Sequence, residues 1–416
     1  MNREEKNNKI KNSIKETLKR HSLMDCKTFE IKVVTNKMSK QQKDDINNLF
    51  KEAKWIRNAY LNKEITNDKF SSVLVKVKNN YERKEITLGS QIKQSIIKEI
   101  KNNIKGLAVL KKNNHKIGGL KFKSYCNEVE LKQYGTTYKI DGNHIKVQNI
   151  KKPLYVRGLK QIPIDADICN AKLVRKVSGL YFYITCYVPK KDIVKTNTNV
   201  GIDFGIEHNL TLSNGVKYDV DIKESKTIKL LSKKLNRALN KNGNIKSSNH
   251  YKRINKLKKA YELNANKRKD KANKIVHELL NKYDIIAIQD EMLHNWQAGL
   301  FGKQIQHSAM GAIKMKLKNS SKVLVVSKSF PSTQICPICG SLTKHPLYKR
   351  TYDCKECGYH HESRDIKSAQ SILDQALNIV SMERRAQSLV ENSSSIINSL
   401  VVNSKNLSMK QEAQML

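Results

Sequence analysis

The segment NVGIDFGIEHNLTLSNGVKYDV, residues 199–220, decides the fold. NVGIDFG (199–205) is apolar enough to form a buried strand, and NLTLS (209–213) forms a second. Asn214-Gly215 is a hairpin turn, and VKYDV (216–220) returns as a third strand. The three predict an antiparallel meander. Asp203 lies inside the first strand, where a carboxylate is costly unless something binds it.

Downstream, the pattern changes to helix. Two stretches, about 226–241 and 250–281, carry helical spacing, the second through Ile254, Leu257, Tyr261, Ala265, Ala272, Ile275, Val276 and Leu279. YDIIAIQDE (283–291) and KVLVVSK (322–328) are apolar enough to be buried parallel strands. Meander, helix, strand, helix, strand is the order of the ribonuclease H fold, an α/β class. That order singles out three carboxylates. Asp203 is in the first strand, Glu291 ends YDIIAIQDE, and Asp365 opens the helical RDIKSAQSIL. In-line phosphodiester hydrolysis needs charge neutralised on both attacking and leaving oxygens. Two Mg²⁺ about 4 Å apart do this, and hard cations need carboxylates to hold them. Each acid alone has an ordinary alternative, as turn former, solvated strand end or helix cap. Asp290 rivals Glu291, which is preferred because it shares strand parity with Ile285, Ala287 and Gln289.

CPICG (336–340) and CKECG (354–358) are two Cys-x-x-Cys turns, each closed by a glycine. The spacing lets Cys336, Cys339, Cys354 and Cys357 reach one tetrahedral Zn²⁺, with a redox dithiol the alternative. The segment is too short for a core of its own, so the metal supplies its folding energy. His360 and His361 are read as surface or nucleic-acid contacts, since four thiolates already suffice. Cys26, Cys126, Cys169 and Cys186 are scattered and expected to be reduced.

Charge points to a polyanion. The chain has 416 residues, with 79 Lys plus Arg against 38 Asp plus Glu, a formal net charge of +41. An AT-rich coding genome enriches Lys and Asn but does not cluster them. Between residues 226 and 282 there are 18 Lys/Arg and three acids. Lys233, Lys234, Arg237, Lys252, Arg253, Lys256, Lys259, Lys267, Arg268 and Lys271 are the expected phosphate contacts. No run of 18 apolar residues occurs and residues 1–20 lack a signal peptide's apolar block. No membrane partner and a cytoplasmic location are therefore expected.

Upstream, residues 1–27 read as a basic flexible arm and FEIKVVT (29–35) as a strand. Helical spacing runs from an N-cap at Ser39 to about Tyr60, and again from Leu88 to about Leu110. TYKIDGNHIKVQ and AKLVRKVSGLYFYITCYV are hairpins turning at Asp141-Gly142 and Ser178-Gly179. Together these strands suggest a small barrel with a helical insertion. Tyr181, Tyr183 and Tyr187 share one strand face; barrel packing is the ordinary explanation and base stacking the functional one.

GIDFG, QDEML followed by Trp296, SFPSTQ before CPICG and CKECG, and RDIKSAQSIL occur here in order. Over about residues 29–375 the chain resembles the TnpB proteins of insertion sequences and the miniature type V-F CRISPR effectors, most specifically over 199–375. The resemblance implies an α/β multidomain protein. It would have an RNase H-like RuvC nuclease domain (196–330 and 362–378) and an inserted zinc ribbon (331–361). A wedge β-barrel (28–38 and 105–195) carrying a helical recognition domain (39–104) would precede them, and a weakly ordered tail (379–416) would follow. It implies an RNA-guided, Mg-dependent DNA endonuclease with a guide RNA, a double-stranded DNA target and a homodimer on one guide. Asp203, Glu291 and Asp365 take the Mg²⁺ positions and the four clustered cysteines the Zn²⁺ positions. Lys367 and Ser368 stand where the family has Asn and Ala. The alternatives are a transposon-encoded TnpB, a protein-only junction or repair nuclease, and a guided DNA-binding regulator without cleavage.

Overall fold

In a computed structural model, residues 3–77, 80–190, 196–241, 247–346 and 348–382 are described. The chain divides into two compact units, Met1–Ile193 and Val194–Leu416. Among the described residues no helix is long and apolar enough to cross a membrane.

The first unit begins with helix α1 (Arg3–Ser22) and strand β1 (Met24–Val33). The flexible arm expected over 1–27 is thus mostly helix. Its overlooked signal was Ile10, Ile14 and Leu18 at four-residue spacing, which the structure leaves exposed. The end of α1 is fastened instead by polar groups. Arg20 and His21 both bind Asp167, and the His21 ring stacks on Tyr187 at 3.7 Å. Helix α2 (Lys40–Leu61) starts at a capping box between Ser39 and Gln42. Hairpin β2 (Ser72–Val77) and β3 (Asn80–Glu85) separates it from α3 (Ser90–Lys112). The insertion is therefore not wholly helical, and α3 runs past the boundary expected at 104. Strands β4 (Glu128–Leu131), β5 (Tyr138–Asp141), β6 (His144–Val147), β7 (Leu154–Arg157), β8 (Asp167–Lys176) and β9 (Gly179–Pro189) complete the unit.

With β1 they form one seven-stranded sheet in the order β4-β8-β9-β1-β7-β6-β5. The Tyr138 hydroxyl on β5 donates to the Cys169 carbonyl on β8 at 2.9 Å, curling the sheet into a near-closed barrel. Ile31, Leu131, Phe182 and Ile184 line its core with Ile46, Phe50, Ile92 and Ile100 from the helices. Even positions of β9 face that core. The odd face carrying Tyr181, Tyr183 and Tyr187 is already occupied by protein: Glu30 accepts from Tyr183, Lys176 lies over Tyr181 and Tyr183, and His21 covers Tyr187.

The second unit opens with β10 (Asn199–Phe204), β11 (Leu210–Leu212) and β12 (Lys217–Tyr218), the antiparallel meander, turning at Gly215 with φ +87°. Helices α4 (Lys226–Lys241) and α5 (Ser248–Lys282) lead to β13 (Ile285–Gln289). Short helices α6 (Leu293–Ala298) and α7 (Gly302–His307), then α8 (Met310–Lys318), lead to β14 (Val323–Val326). The five strands pair in the order β12-β11-β10-β13-β14, with β13 parallel to both β10 and β14. Strand β14 is an edge strand, and Val325 is exposed rather than buried as expected. Two short strands, β15 (Tyr352–Asp353) and β16 (His360–His361), belong to the cysteine-bearing segment, and a helix over 364–382, α9, follows. The tail expected from 379 lies beyond 382 outside the described residues.

Alternation assigns the two faces of this sheet. Val200, Ile202 and Phe204 pack with Ile275 and Leu279 of α5 and Ile313 and Leu317 of α8. Ala287 and Val326 pack on the other face against Ile372 and Ala376 of α9. Gly201 also lies on the α9 face, and a Cβ there would stand 1.9 Å from the Ala369 carbonyl oxygen. Only glycine admits this helix so close.

Candidate functional site

That close approach builds the acidic site. Asp203 follows Gly201 by two residues on the same face, and Asp365 precedes Ala369 by one helical turn. Two strand residues span about 6.6 Å and four helical residues about 6 Å, so the carboxylates advance together along β10 and α9. Burial first, then the neighbouring Asp365 and Glu291 charges, push the Asp203 carboxyl up to about 8. The Ser368 hydroxyl lies between the Asp203 carboxyl and the Ser332 hydroxyl, 3.0 Å from the latter. Asp203 on the central strand therefore feels both the Asp365 and the Glu291 charge.

Glu291 and Asp290 have separate environments. Asp290 is paired with Lys318 at 2.6 Å and Lys314 at 3.0 Å, both on α8, and these ammonium groups hold its carboxyl below the usual range. The Glu291 carboxyl is half-buried, and that burial raises it. Lys314 also donates to the Glu291 backbone carbonyl, fixing the chain just beyond β13. Asp365 has Arg350 at 3.9 Å, and Arg350 also pairs with Glu207. Arg350 was not singled out from sequence, and nothing local marks it, since its partners come from distant segments.

The four clustered cysteines converge fully. Among the described residues they are the group of potential metal ligands whose donor atoms all lie within 4.8 Å of one another. The acids stand farther apart than that. The Sγ atoms of Cys336 and Cys357, and those of Cys339 and Cys354, are 3.6 Å apart. A tetrahedral Zn²⁺ with bonds of about 2.3 Å has edges of about 3.8 Å, so the donor set fits that ion. The knuckles match: Gly340 donates to Cys336 and Gly358 to Cys354, with φ of +73° and +72°. Backbone N–H of Cys357 and the Ser341 hydroxyl lower the Cys354 thiol. His360 bonds Asp353 at 2.5 Å and, like His361, stands outside the cysteine group.

Lys367 shows the largest departure from expectation. It is fully buried, donates to the Ser332 carbonyl at 3.0 Å, and lies 4.0 Å from the centre of the Tyr352 ring. Burial pushes its ammonium down to about 8, opposed by Cys336, Asp203 and Cys354. A sequence motif gives the position but not the pocket.

Of the basic residues expected to meet phosphate, Lys233, Lys234, Arg237, Lys252, Arg253, Lys256, Lys259 and Lys267 are exposed. Lys234, Arg237, Arg253 and Lys256 line one groove between α4 and α5. Arg268 and Lys271 are half-buried, and Arg268 donates to the Gln306 carbonyl, which anchors it inside the unit.

Residues 183–294 match a family described as "Probable transposase", OrfB_IS605. Residues 310–372 match the TNB domain of Cas12f1-like proteins. The two segments are thus similar to parts of TnpB/Cas12f-like proteins. No curated protein matches the chain. Among solved structures, a cryo-EM Cas12f1–sgRNA–target DNA complex is similar at a TM-score of 0.45 and 13% identity, covering 84% of this chain and 98% of that one.

Proposed function

We propose that the chain is an RNA-guided DNA endonuclease with a single RuvC-like active site built from Asp203, Glu291 and Asp365. The reading is carried by a β12-β11-β10-β13-β14 sheet, the ribonuclease H order, whose central strand bears Asp203 within reach of the Asp365 and Glu291 charges. Two Mg²⁺, when bound there, would neutralise the attacking and leaving oxygens of a phosphodiester. Asp203 presents its carboxyl from the sheet, with the Ser368 hydroxyl beside it. Asp365 presents its carboxyl from the first turn of α9, and Arg350 adds a positive charge at the rim. The basic groove of α4 and α5 holds nucleic-acid backbone without reading bases. The four cysteines hold one structural Zn²⁺, which folds the ribbon.

Guidance by RNA, with pairing supplying sequence specificity, follows from the family resemblance of the motifs and the excess of positive charge. The match over 183–294 favours a transposon-encoded TnpB and that over 310–372 a type V-F effector, and the neighbouring DNA distinguishes them: transposon ends or a repeat–spacer array. The test is cleavage of matched and scrambled duplexes in Mg²⁺, with and without RNA that co-purifies. Cutting that requires both RNA and match supports the reading. Equal cutting of both by RNA-free protein leaves a protein-only repair nuclease, and binding without cutting leaves a regulator.

A further inference from the structure

A lysine ammonium inside a protein is tolerated only when polar partners replace its water. Lys367 has two such partners, and both belong to the cysteine-bearing segment. Ser332 lies four residues before Cys336, and its carbonyl accepts from the ammonium at 3.0 Å. Tyr352 lies two residues before Cys354, and its ring face lies 4.0 Å from the ammonium. The Tyr352 hydroxyl in turn donates to the Gln334 carbonyl at 3.0 Å, joining the two arms of the ribbon beneath Lys367. The Tyr352 ring is in place only when the ribbon is folded.

Ser332 is also held from the sheet. Its hydroxyl donates to Gln289 Oε1 at 2.8 Å and meets the Ser368 hydroxyl at 3.0 Å. The Gln289 amide donates to the Phe330 carbonyl at 2.6 Å. Gln289, Ser332, Lys367 and Ser368 are all buried, so this is a closed polar network, and its members depend on one another. Ser368 carries this network to the Asp203 carboxyl, and in sequence Asp365 stands two residues before Lys367 and Glu291 two residues after Gln289.

We propose that Lys367 is a positioning residue that clamps the cysteine ribbon to the helix bearing Asp365, so that the divalent-cation site of the acids depends on the ribbon. The inference rests on the nuclease reading above. Among the described residues the ribbon's core is Cys336, Tyr352 and Cys354 with Tyr359 against it, so its fold depends on its metal. Loss of the ribbon takes the Tyr352 face from Lys367, and the first turn of α9 is then no longer held against the segment before Cys336, so Asp365 shifts with it.

The experiment titrates Mn²⁺, read by electron paramagnetic resonance, into the full chain without nucleic acid. The proteins are the wild type, Asp203→Asn, Lys367→Met, Tyr352→Leu and the Lys367→Met/Tyr352→Leu double variant. Asp203→Asn reports whether Mn²⁺ sits at the acids. Lys367→Met and Tyr352→Leu should each weaken Mn²⁺ about tenfold, the range for loss of an outer-shell partner, with zinc content unchanged. The double variant should be no worse than either single one, because both break one clamp. Wild-type Mn²⁺ affinity in Lys367→Met, or effects that multiply in the double variant, would overturn the clamp. Mn²⁺ binding that ignores Asp203→Asn would overturn the nuclease reading and the clamp with it. If Lys367→Met does not fold, Lys367→Gln takes its place in the cycle, judged by the same two outcomes.

Discussion

Asp290 and Glu291 are adjacent carboxylates with opposite fates. Side-chain alternation sends Asp290 to the α8 face, where Lys314 and Lys318 neutralise it, and leaves Glu291 toward the face that carries Asp203. Glu291→Gln should therefore abolish cleavage while guided DNA binding persists, a loss beyond the ~10–100-fold that an outer-shell partner costs. Asp290→Asn should keep cleavage and lower stability by under about 1 kcal/mol, since the carboxylate its two lysines lose is nearly half exposed. Cleavage rates, gel-shift binding and urea melts of the two variants check this; active Glu291→Gln beside dead Asp290→Asn would reverse the assignment. The same contrast governs the thiols. Elemental analysis should find about one zinc per chain, from the four-thiolate stoichiometry, and Cys354→Ser should lose it. Zinc content unaffected by that substitution would rule out the four-cysteine site.

At the scale of elements, the contact of β10 with α9 decides whether a site exists. Gly201→Ala puts a methyl 1.9 Å from the Ala369 carbonyl oxygen, a backbone atom that cannot rotate away. The variant should lose about 1–3 kcal/mol of stability to overpacking. It should also lose about a hundredfold in cleavage, because a shift of order 1 Å in Asp365 misplaces a metal ligand. A variant with wild-type melting and rate would show that the helix can yield. The end of α1 offers a pH test. The hydrogen bond with His21, then Arg20, lowers the Asp167 carboxyl, so the folded state favours the ionised form. The stabilisation is present above the unfolded carboxylate value near 3.9 and is lost as pH falls through the lowered folded value. At a third exposed, the group is worth under about 1 kcal/mol. The protection of α1 against hydrogen exchange, taken relative to the intrinsic rate at each pH, should fall on acidification in the wild type and lose that dependence in Asp167→Asn. The meander, both parallel strands and the paired knuckles were legible because each is encoded locally, in alternation, in an Asn-Gly turn, or in Cys-x-x-Cys-Gly. The β2–β3 hairpin lay hidden because its second strand, NYERKE, is polar and charged and gives the alternating valines of SVLVKV no apolar partner. Helix α1 was missed because lysine and asparagine outnumber its three apolar positions. Lys367 and Arg350 were illegible as contacts because their partners are 15 to 143 residues away in the chain.

For the whole molecule, charge is the property that no single element explains. A net charge of +41 repels itself, and a compact fold tolerates it best when a polyanion is bound. Within the second unit the density peaks on α4 and α5, where Lys234, Arg237, Arg253 and Lys256 face one groove. If these residues track phosphates, changing Arg237 and Arg253 to Glu should weaken binding of matched and unmatched duplexes by the same factor. Each lost contact should also reduce the slope of log affinity against log salt by about 0.9 on duplex, because fewer counterions are released. Base-reading residues would behave otherwise, costing affinity for one sequence and leaving the salt slope in place. The measurement is binding of the guided complex to both duplexes from about 50 to 200 mM salt, the range over which such slopes are read. A loss confined to the matched duplex would place sequence reading in the groove. Specificity would then belong to the protein, against the expectation that a paired guide supplies it.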